Sequence, residues 1–530
     1  MNRLLAPTRR GVLTGIGATL VASPNIVRAM TAPVWQNNPF SLGVASGAPA
    51  TDGFVLWTKL APEPLASDPR AIGDAPLIPI AYEIASDDSL RHVVRRGTAL
   101  AERDFGYAVH ANVRGLKPGR PYWYRFRSGG EVSAIGRAMT LPPRGTDSLR
   151  FAFFSCSHYE YGYFSAYRHA AEENPDFGIF LGDYIYEYAD KRRPTVRTHS
   201  GGKECETLDE YRARYTQYRL DPDLQALHAA VPALVTWDDH EVQNDYADRF
   251  GQDFQDPQAF LMRRAAAYQA FYEFMPVKPV FSKPQGPDMR LYDRYDFGDL
   301  MRVDLIDGRQ YRSREACYGD PAKKQGDGGG GHQETPAHCP ELMDPTRSMI
   351  GMTQEAWLFD SLARSKARWN VIANDVLMAR LHQKNPAGED AYWTDGWDGY
   401  PPSRTRLMQH IAQSKPSNPV VITGDIHSFW ANDLKTDFDD PSAPAIASEL
   451  VGTSITSYGP PYDQFSKLLP DNPHIKFFDS RKRGYVSVAL TRERLKADYQ
   501  VVSDITDPKA TRSTLASFVI EDGKPGPVAA

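Results

Sequence analysis

Cysteine is scarce in this sequence: four in 530 residues, Cys156, Cys205, Cys317 and Cys339. Their spacing fits no zinc-binding pattern. Positive charge is not in excess either, since 61 Lys and Arg stand against 66 Asp and Glu, a formal net charge of −5. That balance argues against a nucleic-acid-binding surface, which shows as a basic patch or a raised pI. Past the N-terminal stretch no apolar run is long enough to span a bilayer. No Gly-x-Ser-x-Gly elbow is present, which argues against a serine hydrolase. The Gly-rich run GDGGGG (326–331) lacks the Lys-Ser/Thr ending of a phosphate-binding loop and reads as a flexible insertion. No internal repeat is evident.

What is present is ordinary globular composition, 24% charged and 41% hydrophobic, with apolar material for a large core. The N-terminus differs from the rest. Arg9-Arg10 precede an apolar run from Val12 to Ala22, and Val27-Arg28-Ala29 offers small residues at the −3 and −1 positions of a cleavage site. A chance Arg pair in a terminal tail is the bland alternative. The order of features predicts a twin-arginine signal over residues 1–29, addressed to the twin-arginine export machinery. The mature chain would begin near Met30 and be periplasmic or secreted, where disulfides are favoured. Cys317 and Cys339 bracket the Gly-rich insertion, and a bridge between them is the expected pairing. A Cys/His metal clip with His332 or His338 competes with it.

Between residues 38 and 142, the short β-branched or aromatic runs FVLWTKL, LIPIAYEIA, YAVHANV and YWYRFRS are separated by turn signals such as LKPGRP and SGGE. They predict an all-β domain of immunoglobulin or fibronectin character, and LPPRGTD (141–147) reads as a linker. Over residues 148–520 strands and helices alternate. RFAFFS, DFGIFLG, PALVTW, MRVDLID, WNVIA and NPVVITG are buried-strand runs, and QEAWLFDSLARSKAR is an amphipathic helix. This predicts an α/β domain with a largely parallel sheet. YVSVAL, ADYQVV and ASFVIE add strands that close it.

The chemistry-bearing residues share one topological address. Cys156 follows FAFFS, Asp183 follows FGIFLG, Asp239 follows ALVTWD, and Asp425 with His427 follow VVITG. Open α/β sheets bind ligands just outside the carboxyl ends of their strands. Singly, Asp183 is as readily a turn former, Tyr186 a packing residue, Asp238–Glu241 a solvated helix start and Cys156 a small buried hydrophobe. Jointly they are a donor set of Asp, His, Tyr and thiolate whose carboxylates repel unless cations neutralise them. Asp183 and Tyr186 would share a face of a helical turn. Asp425 and His427 would share a face of an extended segment. Two metal ions polarise a phosphoryl oxygen and lower the pKa of bound water from about 15.7 towards about 7. In-line attack by a metal-bound hydroxide, without a covalent enzyme intermediate, is the expected reaction.

The order GDxxY, D-H-E and G-x-x-H resembles the ligand order of calcineurin-like metallophosphoesterases. FSLGVASGAP, VLWTKL, SCSHYEYGYFSAY, LGDYIYEY, VTWDDHEVQNDYA, DGRQYRS, TDGWDGYP and ITGDIHSFW resemble the alkaline phosphatase D (PhoD) family over nearly all of the mature chain. The resemblance implies an N-terminal β-sandwich and a four-layer αββα catalytic domain. It also implies a ferric iron and calcium site that cleaves phosphate mono- and diesters. Carried over, Cys156, Tyr186 and His427 would hold iron, Asp239 and Asp425 calcium, and Asp183 both. Asn244 would contact phosphate or metal, His240 would act as general acid, and Trp397, Asp398 and Tyr400 would shape the rim. Ser157 and His158 depart from the family's Ser-Cys-Gln, and Asn374 stands where purple acid phosphatases supply a His. A phospholipase D-type enzyme, with YEYGYF and AYWTDGWDGYPP lining a lipid groove, is the nearest rival. A non-catalytic phosphate-binding or adhesion protein is the remote one.

Overall fold

Strand Ser148–Phe154 ends in four consecutive buried residues, the pattern of a strand covered on both faces. Because side chains alternate along a strand, the two faces can be followed separately. Phe151 and Phe153 enter a core shared between two sheets, whereas Ala152 and Phe154 enter a core shared with helices. The structure, a computed structural model, describes residues 34–65, 72, 75–190, 193–318 and 330–530. The expected export signal, residues 1–29, lies outside them.

Strands Ser148–Phe154, Phe177–Leu181 and Ala233–Thr236 are parallel neighbours. The C-terminal strands Gly484–Thr491, Arg494–Val502, Arg512–Glu521 and Lys524–Ala529 extend that sheet antiparallel from its Ser148–Phe154 side. A second sheet has parallel strands Met301–Leu305, Trp369–Ala373, Pro419–Thr423 and Ala445–Val451 at its centre and antiparallel strands outside them. The largely parallel sheet expected from the alternation takes the form of two sheets, each parallel only in part. Their facing sides share one core, with Phe151, Ile179 and Val488 from the first sheet and Val303, Val371 and Ile422 from the second.

Helices Leu208–Arg219, Pro222–Ala230 and Pro257–Phe274 pack on the first sheet's other face. Their starts are encoded locally: Thr207 and Glu210 form a reciprocal capping box, and Asp221 and Asp256 each cap a helix whose first residue is proline. Helices Met352–Arg364 and Pro401–Ser414 cover the second sheet. Among the described residues no helix is long and apolar enough to cross a membrane.

The N-terminal strands, from Val44–Ala50 to Gly136–Met139, enclose their own core of Phe54, Leu56, Ile80, Ile84, Tyr124 and Phe126. They are also joined to the first sheet, because Val44–Ala50 pairs in parallel with Ala233–Thr236 at Gly47 and Ala233. Cys317 and Cys339 are disulfide-bonded with Cα atoms 6.1 Å apart. Just inside that bridge, Gln333–Glu334 pairs with Asp390–Trp393 in a small three-stranded sheet.

Candidate metal centre

Four strand-end loops meet at the carboxyl ends of the two sheets. Cys156, Asp183, Asp425 and His427 all have left-handed backbones, with φ of 61°, 52°, 62° and 51°. Such conformations cost about 1–3 kcal/mol each in a non-glycine residue and persist where the surroundings impose them. The glycines preceding the two aspartates show how close the loops come. A Cβ on Gly182 would lie 2.3 Å from the Asp238 Cβ, and one on Gly424 would lie 2.7 Å from the Ser155 Cβ. Glu241 fastens two loops together, accepting hydrogen bonds from the backbone N–H groups of Asp183 (3.2 Å), Tyr184 (2.6 Å) and Asp238 (2.9 Å).

Two donor groups result. Cys156, Asp183 and His427 offer ligand atoms within 4.8 Å of one another, and so do Asp183, Asp239 and His240. Asp183 belongs to both. In the first group, the Tyr186 hydroxyl donates to Asp183 Oδ2 at 2.8 Å and lies 3.1 Å from His427 Nε2. Ser457 Oγ donates to the Tyr186 hydroxyl at 2.6 Å. His427 Nδ1 lies 3.0 Å from the Tyr458 carbonyl. That acceptor fixes the proton on Nδ1 and leaves the Nε2 lone pair for a ligand. In the second group, Asp239 accepts from the backbone N–H groups of His240 (2.9 Å) and Asp245 (2.6 Å). His240 Nδ1 lies 2.8 Å from Glu187 Oε2.

The electrostatics are those of an acid-rich pocket. Burial, reinforced by Asp239, Glu241 and Asp425, pushes the Asp183 carboxyl well above its usual range, against the opposing pull of His240. Burial and then Asp395, Asp239 and Asp245 do the same to Asp425. Burial and then Asp183 raise both the Cys156 thiol and the Tyr186 phenol. At His240 burial acts downward, but Asp239, Glu187 and Asp183 outweigh it and hold the imidazole well above its usual value. Arg309 balances part of this charge, at 2.5 Å from Asp238 and 2.6 Å from Asp395. The buried Asp183 Oδ1 has no hydrogen-bond partner. A buried polar atom of that kind calls for a water or an ion. A thiol, a phenol, an imidazole and carboxylates converging on it suit transition-metal and hard-cation ligation.

Several expected placements are revised. Tyr186 reaches Asp183 through a bend rather than a helical turn, and Asp425 to His427 is a series of bends rather than an extended segment. His427 joins a donor group, whereas Asp425 is in neither of the two; it lines a cleft beside His427. Asn244 turns its side-chain amide to Gln252 at 2.9 Å, and its backbone N–H donates to Glu187 at 2.8 Å. Trp397 and Tyr400 are not rim residues. Both are buried in the core under the second helical layer, with Trp397 Nε1 on Asn374 at 3.1 Å and the Tyr400 hydroxyl on the Ser313 carbonyl at 2.7 Å. Asn374 is therefore bound to Trp397. Asp398 does line the cleft, while accepting from the Leu381 N–H at 2.9 Å. His158 is buried, its ring 3.8 Å from that of Tyr161 and 4.4 Å from that of Tyr186.

The sequence signals give no functional role to Glu187, Glu241, Arg309 or Ser457. The first three sit inside segments already singled out, LGDYIYEY, TWDDHE and DGRQYRS. Ser457 lies in a loop with no signal of its own.

Similarity to known proteins coincides with this geometry. Residues 151–499 match the PhoD-like phosphatase family, and residues 27–142 match its N-terminal domain. The alkaline phosphatase D of Bacillus subtilis (strain 168) is 42% identical over 522 residues, covering 96% of this chain and 86% of the relative. A solved structure of PhoD superposes with a TM-score of 0.86 at 42% identity, covering 94% of this chain and 93% of the other. With both segments matched and identity sustained along almost the whole length, this chain belongs to the PhoD-like phosphatase family.

Proposed function

We propose that the chain is a metal-dependent phosphoesterase, an alkaline phosphatase and phosphodiesterase, working at the strand-end centre. The observation that carries the metal dependence is Asp183: one buried carboxylate common to two donor groups, with an oxygen left unpartnered. Phosphoester hydrolysis itself follows from family membership and the alkaline phosphatase D relative.

Cys156, Tyr186 and His427 would hold ferric iron, Asp239 and Asp425 calcium, with Asp183 between them. Burial and neighbouring carboxylates resist ionisation of both the thiol and the phenol. A ligand pair of that kind favours a cation of high charge. When bound, the two cations supply polarisation of the phosphoryl oxygens and an acidified water. The chain does the positioning. Glu241 locks the loops, Ser457 and the Tyr458 carbonyl aim Tyr186 and His427, and Glu187 fixes the His240 ring beside Asp183 for proton delivery to a leaving alcohol.

The layer order of helices, sheet, sheet and helices supports a four-layer αββα sandwich over residues 148–520, preceded by an immunoglobulin-like domain over 38–142. Residues 1–29 are proposed as a twin-arginine signal that places the enzyme in the periplasm or outside the cell.

Purified protein should contain iron and calcium and show a visible charge-transfer band, which Tyr186→Phe abolishes. Asp183→Ala should lower turnover by more than the about 100-fold typical of losing an outer-sphere partner. Near wild-type turnover in Asp183→Ala, or full activity in colourless, iron-free protein, would each refute the corresponding assignment.

A further inference from the structure

Beside the metal centre opens a cleft of about 520 Å³ that Asp425 and His427 help to line. Its volume lies within the range of about 300–1,000 Å³ typical of small-molecule sites. Its walls are mostly apolar and come from three separate segments. Leu377 and Leu381 follow the second-sheet strand Trp369–Ala373, Trp393 ends the strand Asp390–Trp393, and Phe465 and Leu468 lie on the helical turns after Pro461. Trp393 is 44% exposed although it is a large apolar side chain, and Leu377, Phe465 and Leu468 are only partly covered as they pack on a small cluster around Leu381, Trp430 and Phe478. Apolar surface gathered from three segments around one opening marks a ligand site more often than chance exposure does. The polar groups of the lining are Asp425, His427 and Asp398, with Gln333, Gln383, Lys384 and Gln464.

The other cavity at the centre has the opposite character. It measures about 490 Å³ beside Glu187 and Asn244, and its lining is largely polar and acidic, with Glu204, Asp190 and Asp253 against the cation Lys203. An organic group attached to a phosphorus held at Asp183 and His427 meets mostly apolar surface in the cleft that His427 itself lines.

We infer that this cleft is the subsite for an apolar organic group of the substrate, so that the enzyme selects phosphoesters of alkyl or aryl alcohols over those of small polar ones. The inference rests on the phosphoesterase reading and deepens it. The apolar group lies along Trp393, Leu377 and Leu468 while the phosphoryl group stays at the metal centre, and no bond is made or broken in the cleft itself.

The test uses the metal-loaded full chain hydrolysing bis(4-nitrophenyl) phosphate, with alkylphosphonates as competitive inhibitors. These keep the phosphoryl oxygens and replace the scissile ester oxygen by carbon, so they are not turned over. Hexylphosphonate should bind at least about tenfold more tightly than methylphosphonate, given the gain per methylene buried. Phenylphosphonate separates an aromatic from an aliphatic occupant, and a gain for either supports the subsite. Leu468→Asp and Trp393→Ser should bring the hexyl-to-methyl ratio towards one. Equal inhibition by all three phosphonates in the wild-type enzyme overturns the subsite while leaving the phosphoesterase intact. Failure to hydrolyse the reporter overturns both readings.

Discussion

Ser457 contributes no obvious ligand, yet its hydroxyl sits 2.6 Å from the Tyr186 oxygen and 3.1 Å from the Cys156 carbonyl. Its one proton can serve only one of these acceptors at a time, and the shorter distance assigns it to Tyr186. Ser457→Ala should cost about 10–100-fold in metal retention or turnover, as loss of an outer-sphere partner does; metal content after dialysis and steady-state rates would read this directly. Arg309 is the opposite case, a fully buried cation pinned between Asp238 and Asp395. Truncating one member of such a network leaves buried charges uncompensated, at about 3–5 kcal/mol. Arg309→Met should accordingly lower the denaturation midpoint strongly, and an unchanged midpoint would show that the acidic cluster is neutralised by other means.

At the scale of elements, the Cys317–Cys339 bridge matters for what lies next to it. Glu334 and Gln333 pair with Tyr392 and Trp393, so the bridged segment supplies one strand of the small sheet that presents Trp393 to the apolar cleft. Closing a loop of this size restricts the unfolded chain by about 3 kcal/mol. Cys317→Ser should lose stability of that order in chemical denaturation. It should also weaken binding of hexylphosphonate more than of methylphosphonate, because the wall of the cleft loses its support. Equal weakening would separate the bridge from the cleft.

For the whole molecule, the decisive joint is the one between the N-terminal strands and the first catalytic sheet. It is built from the Gly47–Ala233 pairing, from Lys59 on Glu273 at 3.1 Å, and from Trp57 Nε1 on the Glu273 carbonyl at 3.0 Å. His110 belongs to the same joint, its Nε2 2.9 Å from the Met275 carbonyl and its ring stacked on Tyr272 at 4.5 Å. Burial lowers its pKa from 6.5 to about 4. The unfolded chain thus takes up the proton at higher pH than the folded one. The stability contributed by the neutral ring is complete above pH 6.5 and is lost as pH falls towards 4, by at most about 3 kcal/mol. His110→Gln should flatten that part of the stability profile; parallel profiles for the two proteins would remove His110 as the cause.

Much of the centre was legible because strand ends carry their own punctuation. A buried β-run followed by Gly-Asp, Ser-Cys or Trp-Asp-Asp announces a loop at a sheet's carboxyl edge, and this signal marks Cys156, Asp183, Asp239, Asp425 and, two residues on, His427. The N-terminal β-runs and the long amphipathic helix were equally local signals, set by side-chain period and turn chemistry. What only the tertiary structure decided is which strand ends face each other. The support from Glu241, Glu187 and Ser457 depends on contacts between residues far apart in the chain, and so do the pairing of two sheets and the sharing of Asp183, which the sequence offered only through a resemblance. The burial of Trp397 and Tyr400 was illegible for the same reason: a Trp-Asp-Gly-Tyr run reads alike whether it lines an opening or fills a core. Local chemistry named the candidate donors, and packing between distant segments set their geometry and opened the cleft beside them.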